Sequence, residues 1–453
     1  MSERNALELG QSRIGLMIDG LPETPRVAVK LSRDESGVEI TIPFLDGYDD
    51  PYSYWFSQGI AYGDDPDRTE RRYEPPTAIS FHDVEGSVGL VGSRVSGSTR
   101  TFGEVRGEGR LRFDYAVLGA ASGQAYEQIN GLRSEIEGLG TWVSLRAFEP
   151  KQTWERGRLR SVNFTFDSPL TISIARRLNT SFRANWRYAS GAGPDETTIS
   201  GRLQVETNVK RAVDWQEHLR IHLAIRNLLR VVAWRPLDFV SHEASSIKEH
   251  FPASQAEQVA GRWLKVITDR TGIKLSAPTQ LSDRDFLFSF RDVRAKGVKE
   301  WILLAQKFER GLSPLVGLLD LQGASIEAHI AQVGIGFEML GYDLLIESGS
   351  GVPQARKMPY VQLVSVVSSA VAELLPFDAD RFDELLRRTY VGVKHADRVP
   401  PDWNETLLAY LQAIQVFRAW VGLRLGVPTD RLRQALAYDP RNSQIKEITS
   451  QLL

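Results

Sequence analysis

The feature that most constrains this chain is a change of hydrophobic period along its length. Apolar residues alternate with polar ones over the first 205 residues, then recur every third or fourth position from Val298 onward. Alternation marks strands with one buried face, as in Leu111, Phe113, Tyr115, Val117, in Val162, Phe164, Phe166, and in Phe182, Ala184, Trp186, Tyr188. Segments 37–45, 77–84, 86–96 and 139–148 fit further strands, and the glycine-studded GSVGLVGSRVSGSTRTFGEVRGEGR is expected to supply turns between short ones. Many closely spaced strands predict a sandwich-like or barrel-like unit.

Around residue 213 the period lengthens. Ile221, Ile225, Leu228, Leu229 and Val232 mark one buried helix face, with Pro236 beyond its end. A mixed stretch follows, including the strand-like FLFSF at 286–290. Helical spacing then dominates. It runs through Ile326, Ile330, Val333, Phe337, Leu340 and Leu344, and again through Tyr360, Val364, Val367, Val371 and Leu374. A third helix is expected to start with Asp378 as cap, Phe377 and Phe382 as a hydrophobic staple, and to end at Gly392. A fourth opens at Asn404 and stops before Gly426 and Pro428. The expected fold class is α+β and multidomain: a β-rich, sandwich-like N-terminal half (1–205), a mixed α/β connecting region (206–297) and an all-α helical bundle (298–453).

Composition removes several function classes. No cysteine is present among the 453 residues, which excludes disulfide frameworks, thiol nucleophiles and thiolate metal sites. Of the seven histidines only His218 and His222 have helical i,i+4 spacing, and without a third ligand they are read as polar-face residues; no metal or other cofactor is expected. Neither a P-loop nor a GxGxxG turn opening a helix occurs, so the glycines do not announce a nucleotide site. No apolar run is long enough to span a membrane and the start, MSERNALELGQSR, has no signal core, so a cytoplasmic location is expected. Charge is unevenly spread: Asp34 to Asp83 holds twelve acidic residues against three arginines, whereas Lys151 to Arg187 holds eight basic against two acidic. The basic stretch is read as a solvated strand face. Trp142, Trp154 and Trp186 are assigned to core packing rather than to base stacking.

The segment LLRRTYVGVKHADR holds Arg388 and His395, separated by six residues. From Arg381 to Arg398 five basic residues face three acidic ones, which suits a phosphodiester. Histidine moves protons near neutral pH, and the arginine fork binds two phosphate oxygens while offsetting charge that grows on them. Together they suit metal-free RNA cleavage, in which the 2′-hydroxyl attacks the adjacent phosphorus. DNA lacks that nucleophile.

With that pair on a late bundle helix, the last 150 or so residues resemble a HEPN domain, whose ribonuclease members carry an Arg and a His with four to six residues between them. FLFSFRDVRAKGVKEWILLAQKFERGLSPLVGLL, VDWQEHLRIHLAIRNLLRVVAWRP and the glycine-studded β-rich half are similar to the ApeA-type anti-phage HEPN proteins. The resemblance implies a homodimeric abortive-infection endoribonuclease acting on RNA, with tRNA as substrate class, and a β-rich region that regulates it and receives a phage-derived trigger. It assigns Arg388 and His395 to catalysis and Arg387, Lys394 and Thr389 to substrate binding; Thr389 stands where many such nucleases have Asn. The alternative reading is a non-catalytic protein that binds a ligand or phage component and uses the bundle to dimerise. Glu327 and His329 are read as surface or interhelical polar residues, and Asp383 and Glu384 as ion-pair partners of Arg387 and Arg388.

Overall fold

The structure is a computed structural model. It describes all residues except 1–4, 22–23, 25, 46–50, 58, 60–61, 101–105, 167–169, 191–196, 250–261, 272–279 and 453, and leaves the side chains of 187–190, Tyr188 among them, outside the description.

Six antiparallel strands form a closed barrel: β1 (Ser12–Ile18), β2 (Val27–Asp34), β3 (Gly37–Leu45), β4 (Ala78–His82), β5 (Ser87–Arg100) and β6 (Arg106–Leu118). β1 pairs with β2, β2 with β3, β3 with β6, β6 with β5, β5 with β4, and β4 back with β1, so no edge is left open along this ring. Alternate residues fill the interior, among them Met17, Leu31, Ile40, Phe81, Leu90 and Leu111, all fully buried. Of the two forms that strand spacing allowed, the barrel is the one present here. The glycine-rich stretch does not break into short strands with turns; it runs through two long paired strands, β5 and β6, with residues 101–105 outside the described residues. At Gly109 the reason is space rather than turning: a Cβ there would sit 2.0 Å from the Phe56 ring, so only a bare backbone lets that ring close on the strand.

β6 also belongs to a second sheet. Beyond its pairing with β3, residues Tyr115–Val117 pair with β14 (Leu264–Thr268), and the sheet continues through β13 (Phe239–Ser245), β7 (Ile129–Ile136), β12 (Thr197–Val213), β11 (Thr180–Ser190) and β10 (Leu170–Ala175). The border expected at 205 falls inside β12. Segment 139–148 is not a strand: Leu139–Val143 form the short helix α1, and the next strand, β8 (Phe148–Glu155), pairs only with β9 (Arg158–Phe166) in a separate exposed hairpin. Trp142 is core, as expected, but Trp154 and Trp186 are 60% and 41% exposed: Trp154 lies in that hairpin, and the Trp186 ring packs against Phe166 of the hairpin, centroids 4.7 Å apart.

Helix α2 (Trp215–Ala233) lies on this second sheet, capped by the Asp214 side chain, which accepts from Gln216 N. Its predicted apolar face is fully buried. His218 and His222 are not on the polar face; both are completely buried, facing β7, β12 and β13. They belong to a hydrogen-bonded chain whose links are His218 Nε2 to Ile129 O (3.3 Å), Nδ1 to Thr207 Oγ1 (2.7 Å), Thr207 Oγ1 to His222 Nε2 (2.9 Å), His222 Nδ1 to Ser134 Oγ (2.6 Å), Ser134 Oγ to His242 Nδ1 (2.7 Å), and His242 Nε2 to Thr271 Oγ1 (2.8 Å). The Ile129 carbonyl can only accept, so His218 donates to it from Nε2; keeping every ring neutral then fixes each proton along the chain, ending with Thr271 donating to His242. Burial holds all three rings below the usual imidazole value, His218 at about 4 and His242 at about 3.

The remaining chain is helical: α3 (Phe290–Lys307), α4 (Glu309–Gly317), α5 (Ile326–Glu347), α6 (Val352–Arg356), α7 (Tyr360–Ser368), α8 (Ala379–Lys394), α9 (Trp403–Arg424), α10 (Thr429–Tyr438) and α11 (Pro440–Leu452). Thus a β-rich N-terminal half precedes an all-helical C-terminal region. FLFSF is not a strand. Phe286, Leu287 and Phe288 are buried in an irregular segment, and Ser289 with Asp292 forms a capping box that starts α3 at Phe290. The expected helix through Tyr360–Leu374 is α-helical to Ser368 and tightens to a 3₁₀ turn through Leu374. α5 is the central helix, packed against α4, α7, α8 and α9.

Candidate functional site: the end of helix α8

α8 begins as its sequence dictates. Asp378 accepts from Arg381 N at 2.8 Å, and the Phe377 and Phe382 rings meet at 6.1 Å. Phe382, Leu386, Thr389 and Tyr390 are buried against the bundle, which turns Arg388 to solvent. The helix does not stop at Gly392; it continues to Lys394, and His395 is its C-cap, with extended backbone and its N–H bonded to Val391 O at 3.1 Å. Gly392 serves the loop instead. A Cβ there would lie 3.1 Å from Pro401 Cδ and from Val399 O, so glycine lets the returning chain cross close over α8.

That crossing brings α9 back alongside. It opens one residue earlier than expected, at Trp403, because Asp402 is the cap and accepts from Asn404 N and Glu405 N. Glu405, in the first turn, then faces Arg388, and Nη2 of Arg388 donates to its carboxylate at 2.6 Å. Glu405 carries no motif signal, and only the packing of α8 on α9 reveals it. His395 follows Arg388 by seven positions, nearly two turns, so both leave the same side of the helix about 10 Å apart along its axis. The His395 side chain is exposed and makes no hydrogen bond among the described residues.

The neighbouring residues divide. Arg387 is on the surface and donates to Glu384 at 2.8 Å, an i,i+3 pair in place of the i,i+4 pairs expected from sequence, Asp383 with Arg387 and Glu384 with Arg388. Asp383 is instead buried; it accepts from Ser368 Oγ at 2.6 Å, and burial pushes its carboxyl up to about 6. Lys394 is exposed, with its ammonium 5.2 Å from the Tyr390 ring centroid. Thr389 is fully buried and its hydroxyl donates to the Leu385 and Leu386 carbonyls, so it offers solvent nothing. His329 bonds the Ser325 carbonyl from Nδ1 and packs edge-on against Tyr410, while Glu327 is exposed. Among the described residues no group of three or more histidine or acidic side chains is placed to hold a metal ion, and no helix is long and apolar enough to cross a membrane.

Fold and site together define a class: a β-barrel and sheet module carrying a helical bundle, with an arginine and a histidine exposed at one helix end. Within that class, a family model described as ApeA N-terminal domain 1 matches residues 14–301, and the chain belongs to the ApeA family. That membership points to anti-phage defence. No curated protein and no solved structure matches the chain.

Proposed function

We propose that this chain is a metal-independent, HEPN-type endoribonuclease of anti-phage defence, acting on RNA with tRNA as its substrate class and governed by the β-rich region. The supporting observation is the exposure of Arg388 and His395 on one side of the end of α8, beside Lys394. An incoming phosphate exchanges with Glu405 for the Arg388 fork, which then stabilises charge building on the phosphoryl oxygens. The 2′-oxygen bonds to phosphorus as its proton leaves, the bond from phosphorus to the 5′-oxygen breaks, and His395 transfers one of the protons involved. The products are a 2′,3′-cyclic phosphate and a 5′-hydroxyl. A C2 homodimer through the bundle would set two such pairs along one strand.

Purified protein incubated with tRNA in excess chelator should cut it, leaving 2′,3′-cyclic ends. Arg388→Ala and His395→Ala should each lose on the order of a hundredfold or more in rate, and a 2′-deoxy residue at the cut should block it. Full activity in His395→Ala, or cutting of the deoxy strand, rejects the mechanism.

The Arg388–Glu405 pair favours a second reading, in which the bundle binds and dimerises without cutting. Variants at Arg388 and His395 that protect cells as well as the unaltered protein would decide for it.

A further inference from the structure

A cleft of about 900 Å3 opens where the end of α2, the segment 283–287 and helices α9 to α11 meet. It is separate from the α8 end: Arg418 on its floor lies thirteen residues along α9 from Glu405, about 20 Å away along the axis. Its size is that of small-molecule sites, roughly 300–1,000 Å3.

The floor is charged and buried. Arg418, 2% exposed, donates from Nε to Val231 O at 3.0 Å and from Nη2 to Val232 O at 2.7 Å, and pairs with Asp439. Arg441 also pairs with Asp439, at 3.0 Å. Two guanidiniums therefore share one carboxylate. Burial pulls Arg418 down to about 10, which still leaves it cationic at neutral pH. Nearer the mouth, Arg235 is matched by Asp285 at 2.7 Å, whereas Arg284 and Arg431 make no ion pair or hydrogen bond among the described residues. Over the whole lining five arginines oppose three aspartates. The walls are aromatic and apolar, formed by Trp234, Tyr410, Leu411 and Ile414, with Tyr438 standing 81% exposed at the rim.

Excess positive charge beside aromatic walls recognises a ligand with an anionic head and a planar body. We propose that this cleft binds a free nucleoside phosphate, its phosphates held by Arg284 and Arg431 over the Arg418–Asp439–Arg441 floor and its base against the Tyr410 and Tyr438 side of the wall. Trp234 and Arg284 belong to the family-matched part of the chain, Arg418 and Arg431 to the helical part beyond it. A bound nucleotide thus touches both.

The test measures binding, not cleavage, so it stands apart from the ribonuclease reading. Full-length protein is titrated by calorimetry, and its melting followed, with ATP, ADP, AMP and the corresponding guanine, cytosine and uracil nucleotides, alongside adenosine and pyrophosphate. At least one nucleotide should bind and raise the melting temperature, with its nucleoside and pyrophosphate each about tenfold weaker or worse. Arg284→Glu combined with Arg431→Glu, both on the surface, should fold normally and lose that binding. The proposal is overturned if no nucleotide binds at about millimolar concentration, if the double variant binds as well as the parent, or if pyrophosphate matches the nucleotide.

Discussion

At the scale of single residues, two arrangements carry measurable consequences. Arg388 is held by a carboxylate that, on the proposed function, an RNA phosphate displaces, so Glu405→Gln should tighten RNA binding several-fold in a filter-binding assay. Stability should hardly change, since exposed pairs contribute about 0.2–1 kcal/mol; unaltered RNA affinity would show that Glu405 does not compete. The three histidines under α2 act in the opposite direction, through acid. Their folded values lie below the unfolded value of about 6.5. The unfolded chain therefore binds more protons as pH falls from 6.5 toward 3, and stability, full above 6.5, is lost through that window. His218 and His242 should each cost on the order of a few kcal/mol by pH 4, and His222 acts in the same direction. Urea midpoints measured from pH 7.5 to 4 check this, and His242→Phe, which takes Thr271's partner and leaves Ser134 only its bond to His222, should cost about 2–4 kcal/mol even at pH 7.5. A midpoint flat across that range would mean that the rings are not held neutral.

Among the elements, Gly392 gives the sharpest test. Alanine improves helix propensity by about 1 kcal/mol but pushes Val399 and Pro401 off α8, so Gly392→Ala should melt within a few degrees of the parent while RNA cleavage falls, as the α9 start and Glu405 shift. How far such elements were legible depends on whether their cause was local. The α8 staple and the apolar face of α2 follow from residues a few positions apart, and both are present as expected. FLFSF has the composition of a strand, but its backbone finds no sheet partner, and the Ser289–Asp292 box commits the next residue to helix. Gly392 was taken as a stop because glycine usually ends helices; the need for it arises from a loop nine residues on, which no local pattern records. His218 and His222 had the spacing of a polar face because Thr207, Ser134 and His242, which satisfy them, lie on three separate strands. The Arg388 and His395 spacing was visible from the start, whereas Glu405 became visible only once α9 lay beside α8.

Across the whole molecule, one apolar core runs from the second sheet through α2 into the bundle. Phe182, Leu228, Val232 and Phe239 belong to the same cluster as Trp301, Phe417 and Trp420. Polar ties cross the same boundary: Trp301 Nε1 donates to Ala224 O at 2.6 Å, Trp142 Nε1 to Phe288 O at 2.8 Å, and Arg418 to two α2 carbonyls. The barrel interior, by contrast, is a separate cluster. A fragment beginning at Val298 should consequently aggregate or bind a hydrophobic dye when expressed alone, since the faces of α3 and α9 that meet α2 would be bare; a monodisperse, cooperatively melting fragment would refute this. The shared core also limits how such a protein could be armed. A zymogen is switched on by a protease that severs guard from weapon; if the bundle is the ribonuclease proposed above, separating it from α2 would bare the core they share, so its trigger is expected to act on a chain that stays whole.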